Sequence, residues 1–109
     1  MVFGMAGMYS VHDLLNLVAR EGADELRLEP GKPPVMMLQG KLQMIDGGLL
    51  TSDEVAELFR SIATDEQRPE LDQCGNLRFI FAAGNSARFN VTAVMREQHL
   101  CLTAKNLGR

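Results

Sequence analysis

Residues 22–42 read GADELRLEPGKPPVMMLQGKL, and how this stretch is divided decides the fold. Glu25-Leu26-Arg27-Leu28-Glu29 alternates strictly, so Leu26 and Leu28 point to one face of a strand. The next six residues, Glu29-Pro30-Gly31-Lys32-Pro33-Pro34, are neither helix nor central strand. Each proline removes a backbone donor and pushes the residue before it toward extended backbone, while Gly31 supplies the one permissive turn position. Beyond this rigid corner, Val35-Met36-Met37-Leu38 and Lys41-Leu42-Gln43-Met44-Ile45 read as two strands turned at Gly40, with Gly47-Gly48 ending the hairpin.

A helix precedes this block. Val11, Leu14, Leu15 and Val18 fall at i, i+3, i+4 and i+7 and form one apolar stripe. Ser10 is placed to cap it, Asp13 suits its positive end, and Gly22 sits where it must stop. After the block, Thr51-Ser52-Asp53-Glu54 is a capping box, followed by the stripe Val55, Leu58, Phe59 and Ile62. Thr64-Asp65-Glu66-Gln67 repeats the capping pattern and predicts a short third helix ending near Asp72. The last third is sheet: Leu77, Phe79 and Phe81 alternate, Ala83-Gly84-Asn85-Ser86 turns the chain, and Phe89, Val91 and Ala93 alternate again. A four-residue link, 95–98, then leads to the strand His99–Lys105. The order α-β-β-β-α-α-β-β-β, with helices packed on a mainly antiparallel sheet, is an α+β arrangement.

At 109 residues the chain fits one domain, spanning 10–109, preceded by an arm at 1–9. A net charge of −3 and a pI near 5.3 argue against a nucleic-acid binder. Cys74 and Cys101 show no metal-ligand spacing and read as two reduced thiols in a cytoplasmic protein. The apolar segment 1–10 has no basic region and is too short to span a bilayer, so no direct membrane insertion is expected. Most of the seven methionines read as adaptable core filler; Met36 and Met37 are the exception, because adjacent strand residues cannot both face inward.

No catalytic constellation is legible. There is no G-x-x-x-x-G-K-[ST] phosphate loop, no G-x-G-x-x-G after a strand and no G-x-S-x-G elbow. The acidic residues Asp13, Asp53, Glu54, Glu57, Asp65 and Glu66 sit at caps and on solvated helix faces, where local stability accounts for them. His99 and Cys101 share a strand face, but two ligands do not make a closed zinc site, so no metal is expected. One polar set stands out. With 95–98 as a four-residue turn, Arg88 falls opposite Lys105 and Asn90 opposite Thr103. Arg88, Asn90, Thr92, His99, Thr103 and Lys105 then share one face. Two facing cations would call for an anion or carboxylate between them. Arg88, Asn90 and Lys105 of this face are therefore candidate partner- or anion-binding residues.

From Gly22 to Gly40, and again at Leu50-Thr51, Asp65-Glu66-Gln67-Arg68 and Arg88-Phe89-Asn90-Val91-Thr92-Ala93, the chain resembles the start of the PilT-like twitching-motility ATPases and their type II secretion relatives. The resemblance implies a PAS-like, three-layer N-terminal domain. In that family the domain packs beside a RecA-like motor domain in a ring hexamer and helps close the nucleotide site. The motor domain, which carries the phosphate loop, would begin where this chain ends. The family's Ser-Asp-x-His appears here as Asp24-Glu25-x-Arg27, and its nucleotide-directed arginines align with Asn90, Gln98 and Lys105. Only Lys105 keeps a charge, and lysine lacks the bidentate fork; Arg96 is the fourth candidate partner- or anion-binding residue, as the charge that would compensate for the family's missing arginines. The expectation is a non-catalytic assembly domain, stand-alone or excised, that binds itself or a pilus or secretion ATPase. It needs no cofactor of its own and contacts ATP only alongside a motor domain. The alternatives are the N-terminal part of an active hexameric ATPase and a PAS-like small-ligand sensor.

Overall fold

In a computed structural model the described residues are 10–45, 48–82 and 87–108. Three helices, α1 (Val11–Glu21), α2 (Ser52–Ile62) and α3 (Gln67–Cys74), accompany six strands. These are β1 (Glu25–Leu28), β2 (Val35–Leu38), β3 (Lys41–Met44), β4 (Asn76–Ala82), β5 (Arg88–Arg96) and β6 (His99–Gly108). The element order is the expected one. All strands join one antiparallel sheet ordered β3-β2-β1-β6-β5-β4.

The local signals act as their chemistry dictates. Ser10 Oγ accepts from the Asp13 amide at 3.4 Å, and Gly22 closes α1 at φ 70°. The box at α2 is complete: Thr51 Oγ1 accepts from the Glu54 amide at 3.1 Å, and Glu54 Oε1 accepts from the Thr51 amide at 2.6 Å. Thr64 and Gln67 form the same reciprocal pair at 3.2 and 2.9 Å. Here α3 begins at Gln67 itself and runs on to Cys74, beyond the expected end at Asp72, until Gly75 takes φ 77°.

The proline corner has a positional task. The Gly31 amide, at φ 82°, donates to the Leu50 carbonyl at 2.7 Å, and the Leu50 amide returns a bond to the Lys32 carbonyl at 2.9 Å. The corner thus holds the residue next to the α2 cap, and Pro34 and Leu50 are fully buried beneath it. A segment of flexible backbone would lose those two bonds to its own entropy.

Every buried strand residue lies on one sheet face. Leu26, Leu28, Met36, Leu77, Phe89, Val91, Ala93, Leu100, Leu102 and Ala104 meet the stripes of α1 and α2, and Leu71 of α3, in one core.

Three expectations are corrected. The β5–β6 connection is two residues, Glu97 and Gln98, because the strands pair to their ends at Arg96 and His99. Both turn residues have positive φ, 49° and 70°, as a type I′ hairpin turn requires; neither is Gly, Asn or Asp, so the sequence carries no turn signal there. The register therefore slips by two. Lys105 lies opposite Asn90 and Thr103 opposite Thr92, while Arg88 lies opposite Gly108 across a bulge and is no neighbour of Lys105. The methionines are mostly not core: of those described, Met36 is buried, Met37 is half-buried on the other face, and Met44 and Met95 are exposed. β3 is an edge strand, which leaves its apolar side chains with a partner on one side only. The expected arm at 1–9 and the turn at 83–86 lie outside the described residues, as does Gly47.

Candidate functional site

Strand alternation sets the sheet's second face. No helix among the described residues covers it, since the helices pack on the buried side. Two rows cross it. One runs Leu42, Met37, Glu25, Lys105, Asn90, Ile80; the other runs Met44, Val35, Arg27, Thr103, Thr92, Arg78. Its β2–β3 end is apolar, with Leu42 59% and Met44 71% exposed beside half-buried Val35 and Met37.

The rest of the face is basic. It carries Arg27, Arg78, Arg88, Arg96 and Lys105 against Glu25, in a chain whose net charge is −3. Arg27 pairs with Glu25. Arg78, Arg88, Arg96 and Lys105 have no ion-pair partner among the described residues. The helix side has the opposite sign. There Asp53, Glu54, Glu57, Asp65 and Glu66, with Glu70 and Asp72 on α3, outnumber Arg60 and Arg68, which pair with Glu57 and Asp65. The molecule is electrically two-sided.

The four candidate residues share the open face but do not converge. Arg88 and Arg96 lie at opposite ends of β5, roughly 26 Å apart at about 3.3 Å per strand residue. Lys105 sits between Glu25 and Asn90, with a carboxylate rather than a second cation beside it. No small anion can bridge this set. His99 leaves it as well: its Nδ1 is 2.8 Å from Ser52 Oγ at the start of α2, which ties the hairpin to the helix layer. That hydroxyl–imidazole pair is exposed, and among the described residues no third group is hydrogen-bonded to the ring.

Cys101 lies on the open face at the foot of the proline corner. Burial raises its thiol pKa and the Glu29 carboxylate adds to the rise, against smaller opposing effects of Arg96 and Lys32. Both cysteines are free. Among the described residues no group of three or more His, Cys, Asp or Glu side chains is close enough to hold a metal. Clefts mark the surface. One of about 530 Å³ lies between the start of α1 and α2 with Val11 and Leu58 in its wall and Asp53, Glu54, Glu57 and Arg60 among its lining. One of about 340 Å³ lies between α2, α3 and the β5–β6 hairpin, and one of about 150 Å³ under the proline corner is lined by Arg27, Glu29, Lys32, Pro33, Val35 and Leu42.

Sequence reasoning missed the apolar end of the face and two of its arginines. The signal was present: Arg78 alternates with Leu77 and Phe79, and a hairpin turned at Gln39-Gly40 sets Leu42 opposite Met37. Once Met36 faces the core, Met37, Leu42 and Met44 must face away from it.

No family model matches the chain. It is 31% identical over 83 residues to the type IV pilus retraction ATPase PilT of Pseudomonas aeruginosa, a match that covers 76% of this chain and 24% of that protein. Among solved structures, the pilus retraction motor PilT with bound ADP is similar at a TM-score of 0.82 and 18% identity, covering 89% of this chain and 29% of that one. The ATPase DotB of Legionella pneumophila is similar at 0.71 and 20% identity, covering 90% and 29%. DotB of Yersinia pseudotuberculosis is similar at 0.67 and 12%, covering 87% and 29%. The chain is thus homologous to part of a pilus retraction ATPase and shares its fold there, consistent with the N-terminal domain of PilT-type and secretion ATPases. It spans about a quarter of the curated relative's length. No helix among the described residues is long and apolar enough to cross a membrane.

Proposed function

We propose that this chain is a non-catalytic assembly domain of a type IV pilus or secretion ATPase system, PAS-like in layout and working in the cytoplasm. Its open sheet face docks onto a motor ATPase. The similarity to a pilus retraction ATPase supplies the system. The uncovered face, apolar at Leu42 and Met44 and basic elsewhere, is the observation that carries the reading. Exposed apolar side chains grouped at one end of a sheet, rimmed by polar ones, mark interaction sites in soluble proteins. Catalysis is not part of the proposal. Phosphoryl transfer rests on a phosphate cradle and a bound metal, and this sequence carries no G-x-x-x-x-G-K-[ST] phosphate-loop motif.

The test is retention of a purified pilus retraction ATPase by the immobilised chain. Wild type should retain it, and Leu42→Ser with Met44→Ser should cut retention at least tenfold with the circular dichroism spectrum unchanged. Failure of the folded wild type to bind would overturn the proposal.

A further inference from the structure

The charge asymmetry names a second occupant for the open face. We infer that the basic sheet face of one copy docks on the acidic helix layer of another, so that copies associate head to tail. This rests on the reading of the open face as a docking surface and adds the partner's chemistry. Arg78, Arg88 and Arg96 stand on the face without ion pairs among the described residues, while on the opposite side Asp53 of α2 and Asp72 of α3 are exposed and Glu57, exposed too, pairs with Arg60. Opposite potentials on two sides of one chain attract between copies and repel in any face-to-face arrangement.

The receiving side has a shape to match. The cleft of about 530 Å³ between α1 and α2 has apolar wall residues, Val11 and Leu58, and carboxylates at Asp53, Glu54 and Glu57, of which Glu57 pairs with Arg60 in the same lining and Glu54 caps α2. An incoming arginine packs its stem on the apolar wall and places its guanidinium by Asp53, the carboxylate there with no partner among the described residues. The face has an extent to match. Three four-residue strands and three of seven to ten residues, at about 3.3 Å rise and 4.8 Å spacing, cover roughly 600 Å², somewhat under the roughly 800 Å² per partner of a standard-size interface.

Because the two surfaces differ and lie on opposite sides, the contact is heterologous. It cannot close a two-fold dimer, and it extends into a ring or a filament instead. Sedimentation velocity on the 109-residue chain tests this. At about 50 mM salt the average mass should rise at least twofold with concentration, and at about 500 mM it should fall back to the 12.0 kDa monomer, because screening shortens the reach of exposed charges.

Two variants assign the contact. Arg78→Glu with Arg88→Glu makes the face acidic; Glu57→Lys with Asp72→Lys makes the helix side basic. Each alone should remain monomeric at low salt with an unchanged circular dichroism spectrum, and an equal mixture should associate again, because both contacts between unlike variants are then complementary. Monomers at every salt concentration, with the motor ATPase still retained by the face, would overturn self-docking and leave the proposed function standing. A discrete, salt-insensitive dimer would overturn it in favour of pairing through Leu42 and Met44. Association that appears only after removal of residues 1–9 would overturn it in favour of that arm as the occupant.

Discussion

Glu97 and Gln98 hold the two-residue β5–β6 turn in the left-handed region, at φ 49° and 70°, without the residues that tolerate it. An L-residue there costs about 1–2 kcal/mol relative to right-handed backbone, and the pairing of β5 with β6 on either side is what imposes it. Glu97→Asn with Gln98→Gly should relieve most of that strain. Glycine loses more freedom on folding, which offsets part of the gain, so the expected result is a net stabilisation of about 1 kcal/mol in thermal or urea unfolding. A loss of stability would mean that the two side chains hold the turn by contacts of their own. The cysteines provide a second readout at this scale. A raised pKa leaves Cys101 with less thiolate than an ordinary thiol at any pH below it, and the thiolate is the species that reacts. Iodoacetamide near pH 8 should modify exposed Cys74 before Cys101, and Glu29→Gln, which removes the second cause of the rise, should speed Cys101 alkylation. Peptide mass mapping over time checks both orders.

At the scale of elements, α2 shows how sequence and tertiary structure divide the work. Its capping box reads directly from Thr51 and Glu54, and Thr51→Ala should lower stability by about 1 kcal/mol in denaturant titration. Where the helix starts in space is fixed elsewhere, by the two bonds between the proline corner and Leu50. The helices were legible because their stop and start signals are local: Ser10, Gly22, Thr51 and Thr64 each act within four residues of themselves. The strands were legible as strands because alternation is local too. Their register was not, since it depends on a turn whose two residues carry no turn signal. A slip of two keeps every side chain on its face, so the pattern of inward and outward residues stays correct while the cross-strand partners change. That is why Arg88, Asn90 and Lys105 were placed on the right face and Arg88 was given the wrong neighbour. The order of strands in the sheet, with β1 beside β6, is set by pairing between residues nearly eighty positions apart and left no mark that a local pattern could carry.

At the scale of the whole molecule, one sheet has two faces with opposite demands. The buried face supplies the core, where Phe89 and Val91 of β5 are sealed between the sheet and the helices. The open face carries large apolar groups that contribute little to that core: Leu42 is 59% and Ile80 57% exposed. If apolar residues on the open face were there to hold the fold, truncating them would destabilise it as truncation does in the core. The exposures say otherwise. Phe89→Ala removes a wholly buried ring and leaves a cavity in a core that relaxes only partly, so it should cost roughly 3–5 kcal/mol. Leu42→Ala and Ile80→Ala remove surface that water already reaches, so each should stay within about 0.5 kcal/mol of wild type. Urea unfolding of the three variants under identical conditions, followed by circular dichroism, separates the two faces. A loss above about 2 kcal/mol for Leu42→Ala would mean that residue is packed in the folded chain, as a core position is. The open face would then be part of the fold rather than a surface held ready for a partner.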